Sequence, residues 1–96
     1  MVVRKPGKKI KEYLSMLGSF YQIKIIDLEY CIYRDLHNGY DIEVNGLDNA
    51  CKNFIPDIQV WNTNNGTRII ESINDIQSFD DLKTTLDQLV TKYSVS

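Results

Sequence analysis

The chain has 96 residues, of which 43% are hydrophobic and 25% charged, and it carries a formal net charge of −2. This length and composition predict one globular domain with its own hydrophobic core. They exclude a membrane-spanning helix, because no apolar run approaches the roughly 20 residues that a span requires. The basic N-terminus lacks the apolar segment of a secretory signal, so we expect a cytoplasmic protein in which Cys31 and Cys51 are reduced, unless the two pair with each other.

Charge is unevenly distributed along the chain. The first eleven residues contain five basic side chains and no acidic one, at Arg4, Lys5, Lys8, Lys9 and Lys11. The remainder contains six basic and thirteen acidic side chains, so an acidic body follows a basic head. We expect residues 1–7 to form a mobile basic arm ahead of a single domain that spans residues 8–96.

Two segments have the apolar period of an amphipathic helix. The first covers about residues 8–17 and ends before Gly18, which suits the position after a helix C-terminus. The second covers about residues 79–93, with Ser78 as the N-cap and with Asp80 and Asp81 near the positive end of the helix dipole. The apolar stripes are Ile10, Tyr13, Leu14 and Leu17 in the first helix and Phe79, Leu82, Leu86, Leu89, Val90 and Tyr93 in the second.

Residues 28–45 predict a β-hairpin, because apolar residues alternate on both sides of His37-Asn38-Gly39. A two-residue Asn38-Gly39 loop would put Asp35 on the apolar face. A three-residue loop with Gly39 in the left-handed region pairs Leu36 with Tyr40 instead. We favour the second register because it gathers seven apolar residues on one face: Leu28, Tyr30, Ile32, Leu36, Tyr40, Ile42 and Val44.

Residues 57–73 predict a second hairpin, whose turn is Asn64-Asn65-Gly66. A three-residue loop like the first one puts Val60 opposite Ile70 and Trp61 opposite Ile69.

The remaining segments connect these elements. Residues 21–26 lead into the first hairpin strand, and the alternation breaks at Ile25-Ile26, which predicts a bulge or bend near Ile26 or Asp27. A helical turn near residues 48–52 is compatible with the link between the hairpins. The predicted fold is a two-layer α+β domain of order α-β-β-β-β-α, with a four-stranded, mostly antiparallel sheet.

The sequence contains no pattern that predicts catalysis, a metal site or a cofactor. Cys31 and His37 are six residues apart, which is about 20 Å along a strand, whereas proton transfer needs hydrogen-bond distance. One histidine and two cysteines separated by twenty positions provide no zinc ligand set. No glycine-rich loop opens a helix, so a phosphate cradle is absent. We therefore expect a non-enzymatic protein without a cofactor.

The outward faces of the two hairpins predict a protein-binding surface. If both helices cover the other side of the sheet, aromatic side chains rimmed by carboxylates remain exposed, which is typical of an interface. In the alternative, one helix packs on each face and Trp61 is a core residue. The predicted binding residues are Tyr33, Asp35, Asp41, Glu43, Trp61, Ile69 and Glu71.

Nucleic-acid binding is the alternative function. The order of helix, strands and helix resembles that of double-stranded RNA-binding domains, and the basic arm would supply the phosphate contacts through Arg4, Lys5, Lys8, Lys9 and Lys11. Such domains place basic residues at the start of the last helix, whereas this chain has Ser78-Phe79-Asp80-Asp81 there. An acidic body also repels a polyanion, so we rank this function second.

In size, acidity, compact αβ layout and lack of active-site residues, the chain resembles the small inhibitor proteins of phages and mobile elements, anti-CRISPR proteins among them. No motif carries this resemblance, and no residue role follows from it. It implies a protein that inhibits or assists a partner by occupying it, such as a nucleic-acid enzyme with a basic surface. A strand edge that is open to pairing would also allow a homodimer.

Overall fold

A computed structural model describes residues 7–26, 29–47, 56–64 and 66–94. The elements in chain order are helix α1, five strands and helix α2: α1 (Lys8–Leu17), β1 (Gln22–Ile26), β2 (Glu29–Asp35), β3 (Tyr40–Asn45), β4 (Asp57–Asn62), β5 (Arg68–Ile73) and α2 (Phe79–Ser94). Each strand pairs in antiparallel fashion with its neighbour in sequence, in the order β1-β2-β3-β4-β5. The predicted α+β class is confirmed, with five strands in place of the four expected.

The additional strand is β1. The sequence analysis predicted that these residues would continue directly into the first hairpin strand. Ile26 pairs with Glu29 across antiparallel β1 and β2, so the chain reverses direction between these two residues. The break in alternation at Ile25-Ile26 therefore marks the end of a strand, and the predicted bulge or bend within one strand is wrong. The intervening Asp27 and Leu28 lie outside the described residues.

The register of the β2–β3 hairpin is the predicted one. Arg34 pairs with Ile42, and the amide of Leu36 donates to the carbonyl oxygen of Tyr40 at 3.0 Å. Gly39 has a φ of +95°, and His37 also has a positive φ, of +60°. The carboxylate of Asp35 accepts a hydrogen bond from the His37 amide at 2.7 Å, which holds this side of the turn.

The β4–β5 hairpin matches the prediction only near its turn. Trp61 pairs with Ile69 as expected, but Val60 pairs with Glu71, because the register shifts by one residue between these pairs. Ile70 is the extra residue of a β-bulge on β5. Since an extra residue exchanges the two faces of a strand, Glu71 lies on the same face as Val60. The predicted pairing of Val60 with Ile70 is wrong.

Both helices pack on one face of the sheet. Ile10 of α1 and the stripe of α2 bury their side chains against the strands, and the stacked rings of Tyr13 and Phe79 join the two helices with centroids 5.5 Å apart. Helix α2 has the predicted N-cap, because Ser78 Oγ accepts a hydrogen bond from the Asp81 amide at 3.1 Å. We call this side of the sheet the covered face; its central side chains are Tyr30, Ile32, Ile42, Val44, Ile58 and Val60.

Several predictions fall on residues that the structure does not describe. These are the basic arm residues Arg4 and Lys5, Cys51, and the helical turn at residues 48–52. Neither of the two helices in the described ranges is long and apolar enough to cross a membrane.

Candidate functional site

The side of the sheet opposite the helices is the candidate site, and we call it the open face. Among the described residues, no helix packs on it. The pairing of β2 with β3 and of β3 with β4 arranges its side chains in transverse rows. One row runs across the sheet through Asp35, Asp41, Trp61 and Ile69, and the next runs through Gln22, Tyr33, Glu43, Gln59 and Ser72.

Six of the seven predicted binding residues lie together on the open face, in these two rows. The exception is Glu71, which the β-bulge places on the covered face. Its carboxylate accepts hydrogen bonds from Lys92 Nζ at 2.9 Å and from the hydroxyl of Tyr93, both on α2. The prediction that Glu71 shares a face with Trp61 is therefore wrong. The alternative in which Trp61 is covered by a helix is also wrong for the helices described.

Tyr33 is the centre of the polar contacts on this face. Its hydroxyl donates to the Asp41 carboxylate at 2.6 Å, and the Nζ atom of Lys24 lies 4.1 Å from the centroid of its ring. Burial and the carboxylate of Asp41 together raise the pKa of the Tyr33 hydroxyl above its ordinary value. Tyr33 therefore stays neutral at physiological pH and acts as a hydrogen-bond donor and an aromatic surface.

A shallow cleft of about 210 Å³ opens beside Tyr33. Its walls contain two aromatic residues, two acidic residues and a lysine. The lining residues are Lys24, Tyr33, Asp41, Glu43, Trp61 and Thr67. Trp61 is partly exposed, but its indole Nε1 is out of contact with solvent and has no hydrogen-bond partner among the described residues.

Glu43 is the most buried charged residue of the site, with 5% of its surface exposed. Its carboxylate accepts a hydrogen bond from Asn45 Nδ2 at 2.6 Å. Near it, burial and the negative charges of Glu43 and Glu29 raise the pKa of the Cys31 thiol to about 12. Cys31 is 1% exposed, and its thiol donates to the Lys24 carbonyl oxygen at 3.4 Å. A protonated, buried thiol is a poor nucleophile.

The open face is strongly acidic. By strand register five carboxylates and one lysine belong to this face, and all of them except the buried Glu43 are at least partly exposed. They are Glu29, Asp35, Asp41, Glu43, Asp57 and Lys24. In the described ranges, the basic side chains within 4 Å of a carboxylate are Lys92, beside Glu71, and the imidazole of His37, beside Asp35. Neither Asp41 nor Glu43 has such a basic neighbour there. A basic surface would be attracted to this face.

The described residues offer little for catalysis or metal binding. His37 lies in the exposed β2–β3 turn with 86% of its side chain accessible, whereas Cys31 is buried in the sheet. Within the described ranges, no group of three or more His, Cys, Asp or Glu side chains could hold a metal ion. What the face can do is present aromatic rings, hydrogen-bond groups and negative charge to another molecule.

Sequence reasoning missed Lys24 and Thr67 as members of the site. Lys24 was overlooked because β1 was not recognised as a separate strand that pairs with β2. The signal was present, since Gln22 and Lys24 alternate with Ile23 and Ile25 as the polar face of a strand would. Thr67 lies in the β4–β5 turn, and no local pattern points to it.

Three of the five predicted basic residues are described, and they lie on α1, away from this face. Lys8, Lys9 and Lys11 are exposed on α1, whose buried residue Ile10 packs into the covered face. The described part of the molecule therefore separates its basic helix from its acidic sheet surface.

Comparisons with models of protein families, with curated proteins and with solved structures found no match.

Proposed function

We propose that this protein is a non-enzymatic protein-binding module that acts in the cytoplasm and binds a partner with its open face. The observation that supports the proposal is that both helices pack on the covered face, while Tyr33 and Trp61 stand among carboxylates on the other. Aromatic side chains are enriched at interface centres, and charge complementarity directs association and specificity. The preferred partner is a protein with a basic surface.

A nucleic-acid enzyme is the partner class that fits best, because its substrate channel is basic. An acidic face that occupies such a channel would block the polyanionic substrate, so the module would act as an inhibitor or accessory factor. This is the mode that the resemblance to phage and mobile-element inhibitors, anti-CRISPR proteins among them, also implies.

The test compares two charge variants in binding to a panel of DNA- and RNA-processing enzymes at 0.1 M and 1 M salt. The open-face variant is Asp35→Asn with Asp41→Asn, in which the amides can still accept the existing hydrogen bonds. The matched control is Asp80→Asn with Asp87→Asn, which removes the same charge from exposed positions of α2. We expect the open-face variant to lose at least tenfold in affinity and the control to bind like the unmodified protein. Binding that is insensitive to both salt and the open-face variant would contradict the proposal.

Nucleic-acid binding is the second candidate, and the exposure of Lys8, Lys9 and Lys11 on α1 favours it. Duplex DNA and duplex RNA belong in the same panel, with a variant that changes these three lysines to glutamine. If the unmodified chain binds a duplex and the lysine variant does not, the basic side of α1 is part of the functional surface. If the chain binds no duplex, this candidate is wrong.

A further inference from the structure

The cleft beside Tyr33 has the chemistry of a site for a single organic cation. At about 210 Å³ it is smaller than the roughly 300–1,000 Å³ of common small-molecule pockets, but it has room for one side chain. Its aromatic walls are Tyr33 and Trp61, and its charged walls are Asp41 and Glu43. Aromatic faces attract cations through their quadrupole, and the carboxylates add a full negative charge.

The protein already places a cation against one wall of this cleft, because Lys24 is a lining residue and its ammonium group contacts the Tyr33 ring. The ammonium group of Lys24 lies 4.1 Å from the centroid of the Tyr33 ring, well inside the roughly 6 Å over which cation–π attraction acts. Lys24 is on the edge strand β1, and its side chain is exposed, so it can leave the cleft without disturbing the core. No ion pair between Lys24 and a carboxylate is found in the described part of the chain.

We propose that this cleft binds an arginine side chain of the partner protein, and that Lys24 occupies the same position until the partner displaces it. A guanidinium group is the better occupant, because it is planar, stacks on aromatic rings and forms paired hydrogen bonds with a carboxylate, whereas an ammonium group is a point charge that water hydrates strongly. The inference rests on the proposed function, because it specifies which partner chemistry the open face recognises.

The experiment is an NMR titration of the isotope-labelled full chain with N-acetyl-arginine amide, and with N-acetyl-citrulline amide as the neutral isostere. We expect saturable shifts at the amides of Tyr33 and Asp41 and at the indole of Trp61 with the arginine probe, and none with the citrulline probe. Equal shifts with both probes, or saturable shifts centred on another surface, would overturn the inference. Equally tight binding of N-acetyl-lysine amide would overturn the preference for a guanidinium group.

The displacement of Lys24 has its own test in two variants that remove one positive charge each. Lys24→Gln removes the ammonium group from the Tyr33 ring, whereas Lys83→Gln changes an exposed residue of α2. We expect Lys24→Gln to bind the arginine probe roughly two- to fivefold more tightly, as expected from removing an exposed cation–π contact, and Lys83→Gln to change the affinity little. Equal effects of the two variants would show that only overall charge matters.

The outcomes separate this inference from the proposed function. If the open-face variant loses the partner but the arginine probe does not bind, the open face is an interface and the cleft is not its arginine site. If the open-face variant keeps the partner, the proposed function itself is wrong, whatever the probe does.

Discussion

The two faces of the sheet use alternate residues of the same strands for different purposes. On β4, Ile58 and Val60 are fully buried against the helices, whereas Gln59 and Trp61, which alternate with them, are partly exposed on the open face. The covered face is aliphatic and closes the core. The open face buries Glu43 but keeps the carboxylates of Asp35 and Asp41 and the rings of Tyr33 and Trp61 at least partly exposed. This difference teaches that stability and binding can be altered separately in this fold, because a period of two assigns each residue to one face.

The largest expected effect tests the covered face. Leu86 is fully buried in α2, so Leu86→Ala should reduce the free energy of unfolding by about 2–5 kcal/mol, through lost burial and the cavity left behind. Gln59→Ala on the open face should cost less than about 1 kcal/mol, because no helix in the described ranges packs there. Urea denaturation of both variants measures the difference. Similar losses would mean that the open face is also part of the core.

A second prediction concerns the turns of the two hairpins, which determine the side of the sheet on which each side chain lies. Gly39 and Gly66 both have positive φ, at +95° and +82°, so an alanine at either position should cost about 1–2 kcal/mol of stability. Only at Gly39 would the added Cβ collide with a neighbour, the side-chain amide of Asn64, whereas Gly66 faces open space. We expect Gly39→Ala to be the more destabilising of the two by a small margin, because the exposed side chain of Asn64 can turn away.

The contact between the added Cβ at position 39 and the Asn64 side chain can be tested by itself in a variant that lacks this side chain. If Asn64 is first changed to alanine, Gly39→Ala should cost about as much as Gly66→Ala, as measured by thermal unfolding. An excess cost of Gly39→Ala that persists without the Asn64 amide would show that another contact at the β2–β3 turn is responsible.

The smallest predicted effect concerns Glu71, which the β-bulge moved to the covered face. The hydroxyl of Tyr93 and then the ammonium of Lys92 lower the pKa of Glu71, because both donate hydrogen bonds to its charged form. This contribution to stability is therefore present above the ordinary glutamate pKa and is lost as the pH falls through the lowered pKa. Glu71→Gln should cost far less than Leu86→Ala at neutral pH, and its cost should vanish in acid. A cost that is unchanged in acid would contradict the role of this carboxylate.

Local signals in the sequence were sufficient for much of the fold. The helical stripes gave α1 over residues 8–17 and α2 to within one residue, and the Asn-Gly turn with its alternating flanks gave the β2–β3 register. These features depend on residues close together in sequence. The same register reasoning placed six binding residues on one surface, because strand alternation assigns faces once the turn is known.

The failures arose where the structure depends on more than local pattern. The reversal between Ile26 and Glu29 carries no Asn-Gly or other glycine-containing turn signal, so β1 was merged with β2 and Lys24 was missed. The bulge at Ile70 is a feature of the pairing between β4 and β5, and no glycine or other local signal in β5 predicts it. That single extra residue moved Glu71 from the predicted site to a contact with Tyr93.

The pairing of every strand with its sequence neighbour has a consequence for how the chain folds. Such a meander has mostly local contacts, and proteins with local contacts fold fast. Helix α2, which supplies Leu82, Leu86 and Leu89 to the core, follows all five strands in the chain. During synthesis the sheet can therefore form while much of its aliphatic side is still uncovered. The interval before α2 leaves the ribosome is when this protein is most exposed to aggregation, and when a chaperone would have most to bind.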